Sequence, residues 1–124
     1  MSGVYQLLTT GAVPPSHQDH PASRRQPGGW GAAAWAPSAA GLQLASAAVV
    51  AWGREPEATN STTLFHGCLD YVLMSHHWEV ADALPLPPGA MGADPLPPLP
   101  SAEHPSDHIP LAFKLRLLPE KSSC

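Results

Sequence analysis

The sequence predicts a mixed α/β fold for the 124 residues of the chain. Three observations support this fold class: a capped amphipathic stretch at the start, apolar runs with aromatic and β-branched residues in the second half, and an alternating apolar pattern near the end. The length allows at most one small domain. Because three predicted strands do not close a core, we expect the chain to be part of a larger α/β fold.

The first predicted element is a short helix over Ser2–Gly11. Ser2 is a favourable N-cap, and the apolar residues Val4, Leu7 and Leu8 follow at helical spacing. Gly11 is a typical helix stop, and the prolines at positions 14 and 15 prevent continuation. We therefore assign residues 1–20 to this helix and the loop that follows it.

A low-complexity insertion is predicted for residues 21–53. This segment is rich in Ala, Gly and Pro, contains three of the four Trp, and shows neither strand nor helix periodicity. Its small side chains bury too little surface to offset the entropy of ordering. Only Gly41–Val50 is expected to become regular, and we expect some of the tryptophans to dock on a neighbouring surface.

Residues 54–119 contain the three predicted strands, and residues 120–124 are assigned to a tail. Gly67–Ser75 is a mostly apolar run of the length of a buried strand, and His77–Leu84 alternates apolar and polar residues. Ile109–Leu118 places five apolar side chains on one face, which predicts a strand with that face in a core.

The proline-rich stretch Pro85–Pro100 is predicted to be a loop, because its seven prolines exclude a helix or a central strand. Its last six residues, PLPPLP, are typical of a polyproline ligand, yet no Arg or Lys flanks them, so a stiff loop is favoured. The histidine pairs His17/His20 and His76/His77 are interpreted as solvent-exposed loop residues rather than metal ligands.

The composition excludes several classes of protein. A net charge of −4 with six Lys and Arg argues against a general polyanion binder that relies on positive potential. Two cysteines form no disulfide framework, and no apolar run approaches the roughly 20 residues of a membrane span. No signal-peptide pattern is present at the start, so we expect no association with membranes.

Polar residues at unusual positions indicate a reactive site. Asp70 lies within the first predicted strand, and a carboxylate buried there must be paired, metal-bound or hydrogen-bonded. Ser106, Asp107 and His108 directly precede the last strand. Asp70 and His108 have the chemistry of an Asp–His pair suited to acid/base work or phosphate stabilisation. Alternatively, Asp70 accepts structural hydrogen bonds and Asp107 caps the strand.

Thr59-Asn60, FHGCLDY (65–71) and HPSDH (104–108), in this order and spacing, resemble the C-terminal half of the endonuclease/exonuclease/phosphatase superfamily. Within it the chain is most similar to the deadenylase branch and its 2',5'-phosphodiesterases. The similarity covers roughly residues 2–23 and 53–118. It implies the C-terminal part of a four-layer α/β sandwich, the DNase I-like fold, in which two mainly antiparallel sheets pack between outer helices.

The resemblance also implies a role for each matching residue. Asp70 matches the acid that orients the active-site histidine, and His108 matches that histidine, which contacts the scissile phosphate. Asp107 matches the acid beside the metal site and is the candidate metal ligand of this chain. Asn60 matches a substrate-pocket asparagine, and Phe65 matches an aromatic that stacks on a base, the alternative for Phe65 being a plain core residue.

The implied function is that of a Mg²⁺-dependent phosphodiesterase or 3′-exoribonuclease acting on poly(A) or 2′,5′-oligoadenylate, an RNA substrate, with no specificity for DNA. The family holds Mg²⁺ with a Glu and an Asp-x-Asn motif, and no Asp-x-Asn occurs in these 124 residues. We therefore expect a C-terminal fragment that is inactive alone, located in the mitochondrial matrix or the cytoplasm. The alternative is a non-catalytic remnant that docks partners through its Trp-rich and Pro-rich loops.

Overall fold

A computed structural model describes residues 2–20, 22–23, 38–39, 41–92 and 94–119. The described part is mixed α/β, as the sequence predicts, with short strands and two helices. Contacts divide the chain into one unit spanning residues 1–44 and another spanning 45–124. The assignment of the four sequence segments to parts of one domain stays a prediction.

The elements in chain order are α1 (Gly3–Thr10), β1 (Ala45–Ser46), α2 (Ala47–Trp52), β2 (Asn60–Ser61), β3 (His66–Gly67), β4 (Leu73–Met74), β5 (Trp78–Ala83) and β6 (Phe113–Leu117).

Helix α1 of the first unit begins and ends where the sequence predicts. The Ser2 side chain accepts a hydrogen bond from the backbone N–H of Tyr5, and Gly11 adopts a left-handed φ of 83° while its N–H donates to the Leu7 carbonyl. The Asp19 carboxylate accepts from the Gly3 N–H at 2.8 Å, which satisfies a further free donor of the first turn. The predicted helix is therefore confirmed with both of its caps.

Within the predicted insertion, regular structure was expected only over Gly41–Val50, and β1 and the first four residues of α2 lie in this range. The helix runs to Trp52, since the Ser46 side chain caps its start and Gly53, at a φ of 80°, ends it. The Trp52 ring lies 5.0 Å from that of Phe113, so one tryptophan docks as predicted. Trp30 and Trp35 lie outside the described residues.

The continuous strand predicted for Gly67–Ser75 is wrong. Only its ends are paired: β3 pairs with β2, and β4 pairs with β1, both antiparallel. Between them the backbone N–H groups of Leu69 and Asp70 donate to the hydroxyl of Thr59 instead of to a neighbouring strand. The apolar run is thus irregular in its middle, because the Thr59 side chain, and not a neighbouring strand, accepts the hydrogen bonds of its backbone.

The second predicted strand, His77–Leu84, is observed as β5, and it pairs with β6 in an antiparallel ribbon with an irregularity between Val80 and Asp82. The last strand begins at Phe113 rather than at the predicted Ile109, because the Ile109 N–H donates to Thr59 and the next residue, a proline, has no N–H. Leu117 is 61% exposed and departs from the predicted buried face.

The core of the second unit lies beside the predicted site residues. Leu96 and Leu99 of the PLPPLP stretch are 4% and 5% exposed, so the proline-rich loop is part of the core. Its described residues contain neither helix nor strand, as predicted. The cluster consists of Ala58, Ala90, Leu96, Leu99 and Ile109, with Leu86 packed against it. In the described part of the chain, no helix has the length and apolar character needed to cross a membrane.

Candidate active site

Three short segments lie side by side and form the candidate site. Residue Asn60 is in the middle: it pairs with Gly67 on one side and forms an antiparallel bridge with His108 on the other. The Thr59 N–H donates to the Gly67 carbonyl at 3.0 Å, and the Thr59 carbonyl accepts from the Ile109 N–H at 2.8 Å. This arrangement brings residues far apart in the sequence next to one another.

The structure brings together the two residues predicted to form an Asp–His pair. His108 Nδ1 lies 2.6 Å from Asp70 Oδ2. This hydrogen bond raises the pKa of His108, partial burial opposes the rise, and the charges of Asp70 and then Asp107 add to it. The Asp70 side chain is 41% exposed and lies between β3 and β4, so the prediction that it is buried within a strand is wrong.

The hydrogen bond to Asp70 determines what the His108 ring can do. When Nδ1 donates to the carboxylate, Nε2 is the ring nitrogen left to exchange a proton or to bind a phosphate oxygen. The His108 side chain is 38% exposed, so a ligand can approach it. The arrangement is suited to acid/base chemistry or to stabilising negative charge, and the catalytic role of each residue stays a prediction.

Asn60 and Asp107 contact each other at the edge of this pair. Asn60 is only 5% exposed, and its Nδ2 donates to Asp107 Oδ2 over a long 3.4 Å. The backbone N–H of His108 donates to the Ser106 hydroxyl at 3.1 Å. The alternative interpretation that Asp107 caps the strand stays a prediction. The predicted substrate contact of Asn60 is not tested by this geometry.

Phe65 lies on the surface rather than in the core, so the alternative interpretation of a plain core residue is wrong. Its side chain is 46% exposed in the turn between β2 and β3, next to Leu64, which is 96% exposed. The Thr62 hydroxyl shapes this turn by accepting from the N–H groups of both residues, at 3.2 and 3.0 Å. The predicted stacking on a base stays a prediction, and the exposed ring is compatible with it.

The described residues do not form a metal centre on their own. Among them no three His, Cys, Asp or Glu side chains are grouped as metal ligands would be. Asp107 contacts an amide, and Asp70 is held by His108, whereas Mg²⁺ requires several oxygen ligands in octahedral geometry. The described residues therefore do not fit a complete Mg²⁺ site.

The histidine pairs have structural contacts. His17 Nδ1 and His20 Nδ1 each accept a hydrogen bond from the backbone N–H two residues later, which closes two consecutive turns. His20 is only 3% exposed, so the expectation that it faces solvent is wrong. His76 and His77 are exposed, as expected, and their ring centroids lie 3.9 Å apart.

Sequence reasoning missed two hydroxyl groups behind the site. The Thr59 side chain is fully buried and binds the N–H groups of Leu69 and Asp70. The Ser61 hydroxyl lies 3.1 Å from His66 Nδ1 and donates to the Leu96 carbonyl at 3.0 Å. The one signal available was their position on either side of Asn60, since composition does not distinguish a buried hydroxyl from a surface one.

Cys68, beside Asp70, is a free, half-buried cysteine. Burial raises the pKa of its thiol, which favours the protonated thiol over the nucleophilic thiolate.

Comparison with known proteins identifies homologues of one kind. The chain is 32% identical to 2',5'-phosphodiesterase 12 of Rattus norvegicus over 118 residues, which cover 93% of this chain and 17% of that protein. It is 44% identical to the Bos taurus protein of the same name over 63 residues, half of this chain and 10% of that protein, and 43% identical to the Homo sapiens protein over a stretch of the same length. No family model matches the chain. The chain thus spans about a sixth of the length of its curated relatives.

Proposed function

Because the chain is homologous to 2',5'-phosphodiesterase 12 over most of its length, we propose that it carries the Asp–His part of the catalytic site of a phosphodiester-hydrolysing domain. The observation that carries this proposal is the 2.6 Å contact between His108 Nδ1 and Asp70 Oδ2. The complete domain has the four-layer DNase I-like architecture of the endonuclease/exonuclease/phosphatase superfamily, deadenylase branch, and this chain contributes its C-terminal strands.

In this function His108 stabilises the negative charge that develops on the phosphate during hydrolysis. The raised pKa of His108 favours the cationic imidazolium, which is the form that attracts a phosphate oxygen. Asp70 holds the ring in one orientation through Nδ1, which leaves Nε2 for the substrate. Asp107 adds negative potential beside the imidazolium and supports its protonated form.

The substrate class that we propose is RNA with an adenylate end, either poly(A) or 2′,5′-oligoadenylate. The half-exposed Phe65 ring offers a face on which a base can stack, a contact that tolerates different nucleotides. Net charge is −4, so affinity must come from such local contacts rather than from a positive surface. Asn60, whose Nδ2 donates to Asp107, is the second residue that we propose for the substrate pocket.

We infer that the Mg²⁺ of the complete domain is held by ligands that these 124 residues do not contain. Asp-x-Asn is absent from the sequence, and the described residues show no group of three ligands. Mg²⁺ bound in the complete domain would supply charge stabilisation and an activated water. The chain alone is therefore expected to show no turnover on oligoadenylate.

A chimera tests the proposal directly. The matching segment of the rat relative is replaced by this chain, and hydrolysis of 2′,5′-oligoadenylate and poly(A) is measured with Mg²⁺. We expect the chimera to be active, and His108→Ala to lower its kcat by about 100-fold or more. His76→Ala is the matched control, because it removes an exposed imidazole outside the site.

Three results would contradict the proposal, and the first is an inactive chimera that keeps the Asp–His contact. A chimera that is active and insensitive to His108→Ala would show that the Asp–His pair is not used. Turnover by the isolated chain that His108→Ala abolishes would contradict the inference that the metal ligands lie elsewhere.

Docking through the proline-rich loop is disfavoured by the packing of that loop. Leu96 and Leu99 of the PLPPLP stretch are buried in the core, so they are not available to a partner. A polyproline ligand must instead present its side chains to the groove of another domain. We propose no second function on this segment.

A further inference from the structure

We propose that Thr59 is the positioning residue of the Asp70–His108 pair, a role that rests on the function proposed above for that pair. The Thr59 side chain is fully buried, and its hydroxyl oxygen accepts hydrogen bonds from the backbone N–H of Leu69 at 2.9 Å and of Asp70 at 3.1 Å. One side chain therefore fixes the backbone from which the carboxylate of the pair projects.

The same residue also fixes the chain next to the histidine. The Thr59 carbonyl accepts from the N–H of Ile109, the residue that follows His108, at 2.8 Å. The Thr59 N–H donates to Gly67 at 3.0 Å, which ties this residue to β3 as well. The backbone of Asp70 and the residue next to His108 are thus both hydrogen-bonded to one buried residue.

Asp70 depends on this hydroxyl because it lies outside the strands. Residues 68–72 separate β3 from β4 and belong to neither, so no strand ladder fixes the position of the carboxylate. If the N–H groups of Leu69 and Asp70 lose their acceptor, they must turn toward water or stay unpaired at a cost. Either change displaces Asp70. A shift of about 1 Å lengthens the 2.6 Å contact between His108 Nδ1 and Asp70 Oδ2 beyond hydrogen-bond distance.

The chemistry required at this position is specific to a hydroxyl. A hydroxyl oxygen has two lone pairs and can accept both N–H groups, and the β-branched carbon of Thr restricts its rotamer. Val has the same shape and no acceptor, whereas Ser keeps the acceptor and loses one methyl group. Thr59→Val therefore removes the proposed function of the side chain, and Thr59→Ser preserves it.

The chain provides a matched control in Thr62. Its hydroxyl also accepts two backbone N–H groups, those of Leu64 and Phe65, in the turn between β2 and β3. Thr62→Val thus removes two hydrogen bonds of the same kind, from backbone N–H to threonine hydroxyl. Thr62 itself makes no hydrogen bond to Leu69 or Asp70. A general effect of losing such bonds appears in both variants, and a positioning effect appears only at Thr59.

The experiment compares the 124-residue chain with its Thr59→Val, Thr59→Ser and Thr62→Val variants by NMR. The ¹⁵N shifts of the His108 ring report its tautomer at a pH where the ring is neutral, and amide exchange reports the N–H groups of Leu69 and Asp70. We expect Nδ1–H in the wild type and in Thr59→Ser. In Thr59→Val the tautomer should move toward Nε2–H, and both amides should exchange about tenfold faster. Thr62→Val should accelerate only Leu64 and Phe65.

A folded Thr59→Val variant with the wild-type tautomer and wild-type amide exchange would overturn the proposal. Should that variant not fold, the wild type decides: the amides of Leu69 and Asp70 must be protected to the same degree as that of Ile109, and unprotected amides would overturn the proposal. These readouts need no catalysis, so failure of the phosphodiesterase proposal would be seen separately, as an inactive chimera with the Asp–His contact intact.

Discussion

At the scale of single residues, the Asp70–His108 contact determines how the site responds to pH. The hydrogen bond to Asp70 raises the pKa of His108 above its ordinary value of about 6.5, so the folded chain binds this proton more tightly than the unfolded chain does. The stabilisation from the pair is therefore complete below about pH 6.5 and is lost as the pH rises through the raised pKa.

This behaviour leads to a prediction for His108. In an NMR titration its midpoint should lie above about 6.5, and Asp70→Asn should lower that midpoint. Asp107→Asn should lower it by less, because Asp107 acts through charge alone and Asp70 also through the hydrogen bond. In urea unfolding, Asp70→Asn should lose more stability at about pH 6 than at about pH 9. A midpoint that does not move in Asp70→Asn would contradict the contact.

At the scale of elements, glycine conformation decides where helices and turns end. Gly53 ends α2 at a φ of 80°, and among the described residues beyond its two chain neighbours no atom lies within 4 Å of where a Cβ would be. Gly89, in the proline-rich loop, has a φ of 89°, and a Cβ there would lie 2.6 Å from the Asp94 carbonyl oxygen and 2.9 Å from the Leu96 backbone nitrogen. The positive φ at both positions disfavours residues other than glycine. Of the two, Gly89 also lacks space for a Cβ.

The two glycines therefore form a matched pair for mutation. Gly53→Ala should cost about 1 kcal/mol in the free energy of unfolding, from the left-handed backbone alone. Gly89→Ala should cost about 2–4 kcal/mol, because the new methyl group also pushes against backbone that carries the buried Leu96. Urea denaturation measures both values. Equal losses in the two variants would show that the loop around Gly89 is not packed as described.

At the scale of the whole molecule, the second unit depends on a small core to which the proline-rich loop contributes. The five buried members of that core include two alanines, so each large side chain carries a large share of the buried apolar area. Small domains have little excess stability, and the loss of one such side chain is felt throughout the unit.

Leu96→Ala tests this dependence. It should destabilise the chain by about 2–4 kcal/mol, since Leu96 is 4% exposed within the core. Leu64→Ala is the control and should change stability by less than about 0.5 kcal/mol, because that side chain is 96% exposed. Chemical denaturation followed by tryptophan fluorescence provides both values. A neutral Leu96→Ala variant would mean that the loop is detached from the core.

The sequence was sufficient where structure depends on neighbouring residues. Ser2 and Gly11 specify both ends of α1 by local hydrogen bonds and a left-handed backbone, which are readable within one helical turn. The prolines of residues 85–100 exclude regular structure for equally local reasons. The Asp–His contact was also predicted from an acid within an apolar run and a histidine directly before the last strand. The burial of Asp70 that this reasoning assumed is wrong, because the side chain is 41% exposed.

Only the tertiary structure decided how the run after Gly67 is built and what holds the site. The sequence predicts one strand there, whereas the buried hydroxyl of Thr59, ten residues before Leu69, accepts the N–H groups of Leu69 and Asp70 and interrupts the strand. The start of β6 likewise depends on a partner distant in the chain, because the N–H of Ile109 donates to the Thr59 carbonyl. Local patterns show which backbone and side-chain groups need a partner, and the long-range fold determines which partner each of them receives.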